Sequence, residues 1–236
     1  MALHAEGKKV KFSKSEMGTV GTYKPTWEQE QNVLSFRKLL LRRHLLRWLR
    51  HTDGAVYVPF MGDGDIADVM YRTREIHGAD LDGERVQTAR SRFPGVDIRV
   101  ADCDDTWPFP DVSIPFAIAD FDAFTEPYAA FRQFWAHAPK ADRLAMFFTD
   151  GHRQGLLRTG WFDQPDGTKI KLGTGSRDEY DRGDPKIKAP YYWKYLSLHI
   201  WPYFDGLVAS EWRMLDRWRY QRDMMIYWGM ALERKT

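Results

Sequence analysis

At 236 residues the chain is long enough to bury a sizeable core and suits one α/β domain with a small appendage. Hydrophobic residues make up 43% and aromatics 15%, which excludes a disordered polymer, while a formal net charge of +2 is too near zero to announce a polyanionic partner by itself. A single cysteine, Cys103, excludes an internal disulfide and a Cys-based zinc cluster, and the histidines follow no ligand spacing, so no metal is expected.

The N-terminal stretch has no apolar segment of signal-peptide type, and "LLLRRHLLRWL" is too interrupted by arginine to span a bilayer; a cytoplasmic chain without membrane contact is expected. Residues 1–25 mix Lys, Gly and Ser without periodicity and read as a basic arm, leaving 26–236 as one domain. Thr26 then caps a helix through "WEQEQNVLSFRKLLLRRHLLRWLRH". Its apolar side carries Leu41, Leu45, Trp48 and Leu49, and its basic side Arg43, His44, Arg47, Arg50 and His51. Next come the strand-like runs "AVYVPF", "IHGADL", "VDIRVA", "PFAIADF" and "RLAMFFTD", the first two each followed by a helical segment, an alternation that implies a mostly parallel, Rossmann-like sheet. Thr125-Glu126-Pro127 opens a helix whose buried stripe is Tyr128, Phe131, Phe134, Trp135 and Ala138. The polar segment from about 151 to 190 reads as a long functional loop. "PYYWKYLSLHIWPYF" reads as a helix stopped at Pro202, and "LVASEWRML" and "QRDMMIYWGMALER" as two closing strands, the last alternating through Met224, Ile226, Trp228, Met230 and Leu232.

The first informative loop is Gly62-Asp63-Gly64-Asp65, between the first strand and a helix. A dinucleotide site brings backbone amides and a helix N-terminus to a pyrophosphate, but here no third glycine follows and two carboxylates would repel phosphate. S-adenosylmethionine, with a sulfonium, an ammonium and no phosphate, suits the loop better. Asp80 ends the second strand at the distance expected of a ribose-binding acid, with Leu81 next to it. Asp102 ends the third, followed by Cys103, where an acceptor for an adenine amino group is expected. Taken in this register, the chain resembles the class I S-adenosylmethionine-dependent methyltransferases from about Ala55 to Arg234. The resemblance implies a seven-stranded sheet ending in an antiparallel hairpin. "VPFMGDG" is similar to the [DE]PFxGxG loop of DNA amino-methyltransferases at Pro59, Phe60, Gly62 and Gly64; Val58 stands where that family carries an acid, and Asp63 or Asp65 is the expected substitute partner for the methionine ammonium.

The second is "IADFDAFTEP", ending the fourth strand. It is similar to the DPFGSP region of tRNA guanine-N2 dimethyltransferases at Asp120, Asp122, Phe124 and Pro127, and it stands where DNA amino-methyltransferases carry [DN]PP[YF]; Ala123 replaces the proline. An exocyclic base amine is a poor nucleophile because its lone pair is delocalised into the ring, so its hydrogens need fixed acceptors during methyl transfer. Asp122 and the Ala123 carbonyl are the expected acceptors, Asp120 is expected in the same catalytic group, and Phe124 stacks on the base. Cys103 lies at the adenine end, away from the target, which argues against a covalent pyrimidine-carbon mechanism.

The basic helix face, the Lys-rich arm and the basic loop (Arg158, Lys169, Lys171, Arg177) are expected to hold the phosphates of a nucleic-acid partner, DNA or tRNA. A small-molecule methyltransferase with an aromatic pocket, and a non-catalytic partner subunit of the same fold, are the two alternatives. The target base, the number of methyls and the oligomeric state are not specified by these residues.

Overall fold

The computed structural model describes residues 36–123, 126–151, 161–171, 195–222 and 225–236. The expected basic arm, Phe124 and most of the 151–190 segment lie outside the described residues. Helix α1 (Phe36–Leu46) passes into a 3-10 turn (Arg47–Leu49). Then β1 (Ala55–Val58), α2 (Asp65–Tyr71), β2 (Ile76–Asp80), α3 (Gly83–Arg92) and β3 (Asp97–Val100) alternate, followed by β4 (Phe116–Phe121), α4 (Tyr128–His137) and β5 (Lys140–Asp150). A short hairpin, β6 (Trp161–Asp163) with β7 (Lys169–Lys171), precedes a π-helical turn (Leu196–Ile200), α5 (Trp201–Val208), and the long strands β8 (Trp212–Arg222) and β9 (Met225–Arg234).

One seven-stranded sheet runs in the order β3-β2-β1-β4-β5-β9-β8. The first five strands of that order pair in parallel, and β9 pairs antiparallel to both β5 and β8. From β1 the chain builds outward to β2 and β3 and then returns to place β4 on the other side, so the strand order reverses between β1 and β4. Ligand crevices of open α/β sheets form at the carboxyl ends of the strands flanking such a reversal.

Both faces of the sheet are covered, and the central strands are therefore apolar on both sides. On one face Leu41, Leu45 and Leu49 pack with Val56, Ile66, Ile118, Ala145 and Phe147. On the other, Tyr57, Phe121, Phe148 and Trp228 pack under Phe131, Phe134 and Phe204. The register aligns Phe121, Phe148 and Trp228 across three strands, and their rings stack at 5.1 and 4.3 Å between centroids. Tyr128, Phe131, Phe134 and Ala138 of the expected α4 stripe are buried, with Trp135 packed at its margin.

Three expectations are corrected. Pro202 does not stop a helix; the helical run passes from the π-helical turn Leu196–Ile200 through Pro202 to Val208, and the wider π turn just before it accommodates a residue without an N–H. Leu207 and Val208 consequently belong to α5, and the penultimate strand starts at Trp212 and extends further than expected, with a register shift between Met214 and Asp216. The polar 151–190 segment contains the β6–β7 hairpin, closed by Gln164 and Thr168 and fastened by Phe162, which packs edge-on to Tyr195.

Candidate functional site

At the carboxyl end of β1, the chain turns through Pro59 to Gly64. Gly62 and Gly64 have φ of +53° and +83°, the left-handed region that L side chains rarely adopt. A Cβ on Gly64 would lie 2.8 Å from the Phe93 ring, whereas over Gly62 the nearest atom is a guanidinium nitrogen of Arg85 at 3.7 Å. The first glycine leaves open backbone toward the crevice, and the second lets α2 pack closely on α3.

Asp80 ties this turn to its neighbour. Its Oδ2 accepts from the Gly62 N–H at 2.8 Å and its Oδ1 from the Asp82 N–H at 3.0 Å. Leu81, the next residue, and Val100, the register partner of Asp80 on β3, are 50% and 56% exposed and present apolar surface at this strand end. Asp102 is exposed, with its Oδ1 accepting from the Asp104 N–H. Cys103 is buried in the core, and burial pushes its thiol up to about 12, so it is held as neutral SH and its side chain does not reach the crevice. Pro59 is buried beneath the turn and Phe60 is half-buried against the core.

The two acids of the loop differ. Asp65 opens α2 and pairs with Arg92 of α3. Asp63 is exposed and enters no ion pair among the described residues, which leaves its carboxylate available to a cation. Val58 is buried, packed with Met61, Ile66 and Ile118, and leaves no acidic group at that position.

Across the strand reversal, Asp120 near the end of β4 and Asp122 just beyond it both meet side chains of α1. Asp120 was expected beside the target, but it is wholly buried. Arg42 grips it with Nε and Nη2, both at 2.6 Å, and the Tyr71 hydroxyl donates to Oδ2 at 2.6 Å. Burial and the facing carboxylate raise the Tyr71 phenol, so it remains a donor. Asp120 therefore anchors α1 and α2 to the sheet.

Asp122 sits at the surface end of the same network, its side chain 14% exposed. The Lys38 ammonium lies 2.7 Å from Oδ1 and 2.9 Å from Oδ2; Thr149 of β5 donates to Oδ1, and Arg42 stands 3.8 Å away. Burial pushes the carboxyl up, but Lys38 and Arg42 outweigh it and hold the group below the usual carboxylate range. Ala123 follows with its side chain buried. On the opposite face, Asp150 at the end of β5 accepts from the hydroxyls of Tyr128 at 2.6 Å and Tyr195 at 3.1 Å.

Lys38, Arg42, Tyr71 and Thr149 escaped the sequence reading, although a signal for two of them was present. Positions 38, 41, 42, 45 and 49 form one helical stripe, so Lys38 and Arg42 interrupt an apolar face and require buried acids opposite. The expected basic side is partly spent: His44, Arg47 and the Trp48 indole all converge on Asp216 of β8. Arg43, Arg50 and His51 remain exposed. Among the described residues no group of three or more His, Cys, Asp or Glu could hold a metal ion, and no helix is long and apolar enough to cross a membrane.

No protein-family model and no curated protein matches the sequence. Among solved structures, the chain is similar to the plantazolicin methyltransferase in complex with SAH and a triazolic desmethyl analogue, with a TM-score of 0.50 at 9% identity over 87% of this chain and 88% of that one. A Streptococcus thermophilus rRNA methylase gives 0.48 at 12% over 85% and 98%, and the PH0226 protein of Pyrococcus horikoshii 0.46 at 14% over 89% and 92%. Together with the strand order and the terminal antiparallel pair, the likeness makes this a Rossmann-like class I methyltransferase fold.

Proposed function

We propose that the chain is an S-adenosylmethionine-dependent methyltransferase acting on an exocyclic amine of a nucleic-acid base. The observation that carries this reading is Asp122, a partly exposed and ionised carboxylate at the strand reversal, one strand away from an open glycine turn.

The residues of the turn suit the cofactor. Asp80, steadied by two amides, keeps a lone pair on each oxygen for the ribose hydroxyls. Leu81 and Val100 offer a flat apolar floor for adenine, and Asp102 an acceptor for its amino group. Asp63 is the carboxylate for the methionine ammonium in place of the acid that Val58 lacks, since Asp65 is committed to Arg92. When bound, S-adenosylmethionine supplies an electrophilic methyl group. Toward it the target amine would present its lone pair while Asp122 Oδ2 and the Ala123 carbonyl accept its two hydrogens, an arrangement that draws the lone pair out of conjugation. Phe124, proposed to stack on the base, lies outside the described residues. DNA or tRNA is the proposed partner, held through phosphates by exposed cations such as Arg43 and Arg50.

A small-molecule pocket built from the aromatic run is less well supported, because Tyr195, Leu196, Ile200 and Phe204 of that run are packed in the core. The test is calorimetry with S-adenosylmethionine, followed by tritiated methyl transfer to unmodified tRNA and to denatured DNA. Asp122→Ala is expected to lower transfer by about 100-fold or more while leaving cofactor affinity within a few-fold. Transfer to neither polymer would return the reading to a small-molecule substrate, and no cofactor binding at all would favour a non-catalytic subunit.

A further inference from the structure

We infer that Lys38 is a positioning residue of the proposed target site: it holds Asp122 in place as a charged hydrogen-bond acceptor, which suits the site to neutral N–H donors and unsuits it to hydroxyl substrates. The inference rests on the reading of Asp122 as the target-binding carboxylate and adds the residue that holds it and the physical reason it serves an amine.

The geometry is specific. Lys38 lies 2.7 and 2.9 Å from the two oxygens of Asp122, and its ammonium stands 5.1 Å from the centre of the Tyr227 ring. A carboxylate has about four lone-pair sites. Lys38 and Thr149 both bond Oδ1, whereas among the described residues Oδ2 bonds Lys38 alone, so Oδ2 is the oxygen assigned to a target. Among the described residues the groups around Asp122 are Lys38 and Arg42 from α1, Asp120 from β4, Tyr71 from α2 through Asp120, Thr149 from β5 and, through Lys38, Tyr227 from β9. Two cations thus face two carboxylates, one pair deep and one at the surface. Removing Lys38 leaves Arg42 alone between both acids, and the surface acid then becomes the one to take up a proton.

This balance selects the chemistry. Methylating a hydroxyl needs a base that removes the proton as attack proceeds, and such a base works best with a pKa near the operating pH. A carboxylate flanked by two cations is too weak for that. An amine differs: its nitrogen lone pair forms the new N–C bond, the S–C bond breaks with its electron pair returning to sulfur, and only then does the cationic nitrogen release its proton. That nitrogen is so acidic that Asp122 Oδ2 can accept the proton and pass it to water.

The test compares Lys38→Met, Lys38→Gln and Lys38→Arg in the full chain. The Asp122 carboxyl is titrated by carbon-13 NMR, assigned with Asp122→Asn, and methyl transfer from S-adenosylmethionine to unmodified tRNA and denatured DNA is followed against pH. Lys38→Met should raise the titration midpoint by about one pH unit or more, and the acid limb of kcat should move up with it; Lys38→Arg should restore both. Should Lys38→Met not fold, Lys38→Gln, which keeps a donor and loses the charge, carries the same expectation. An unmoved midpoint overturns the inference whatever the activity, and so does a moved midpoint with an unmoved acid limb. Failure of the wild-type chain to bind S-adenosylmethionine in calorimetry is a separate result, which overturns the functional reading and, with it, the role in the target site.

Discussion

Asp80 steadies two backbone segments at once, the glycine turn through Gly62 and the start of α3 through Asp82, and this is why a single carboxylate at a strand end can shape a binding site. In Asp80→Ala both amides lose a charged acceptor, and any ribose hydroxyls lose theirs. Hydrogen bonds to charged groups contribute about 1.5–3 kcal/mol each, so the dissociation constant for S-adenosylmethionine should rise by about 10–100-fold in calorimetry. An unchanged constant would remove Asp80 from the cofactor site. At Gly64, alanine combines a left-handed φ with a Cβ set against Phe93, and the expected destabilisation in urea unfolding is about 1–3 kcal/mol. Both positions were legible in the sequence, because a glycine pair after an apolar run and an acid at the next strand end are local patterns. The separate fates of Asp63 and Asp65 were not, since the partner of Asp65 is Arg92, on a different helix.

Elements were legible where periodicity speaks and illegible where tertiary context decides. The strands from β1 to β5 announced themselves as apolar runs, and the α4 stripe by its aromatic spacing. Pro202 misled because a π-helical turn directly before it lets the helical run continue through a proline, and no residue spacing announces such a turn. The β6–β7 hairpin was hidden because its strands have three residues each and depend on Phe162 packing against Tyr195, which lies outside the hairpin. For α1, the apolar side was read correctly while the two cations embedded in it were missed, and those cations decide how the helix is held. Arg42→Met leaves Asp120 and the Tyr71 hydroxyl without their cation in a buried setting. Breaking a buried pair from one side costs about 3–5 kcal/mol, which urea unfolding would register. The combination Arg42→Met, Asp120→Leu, Tyr71→Phe removes all three polar groups and should recover much of that loss. If the triple variant is no more stable than the single one, the loss comes from packing and not from the unpaired carboxylate.

At the scale of the molecule, the strand reversal between β1 and β4 brings the glycine turn and Asp122, the proposed cofactor and target positions, to the same carboxyl end of the sheet, and burial on both faces holds those strands in place. The alternation of strands and helices foretold the parallel sheet; the network beneath the site was not foretold, because residues 38 and 122 meet only after the chain has closed over 84 positions. That network makes the whole fold sensitive to acid. Asp122 is pushed up by burial and pulled down further by Lys38 and Arg42, and Asp216, also burdened by burial, is held down by the Trp48 indole and by His44. A carboxyl with a folded-state pKa below its unfolded value of about 3.9 contributes its full stabilisation above that value and loses it as pH falls through the folded one. Between those limits the unfolded chain binds more protons, so acid favours unfolding. The melting temperature should therefore be nearly flat from pH 7 to about pH 5 and fall below about pH 4. Asp122→Asn, which removes one linked proton, should start from a lower melting temperature and show a shallower acid decline; a decline parallel to that of the wild type would mean that Asp122 carries no depressed pKa and that Lys38 does not govern its charge.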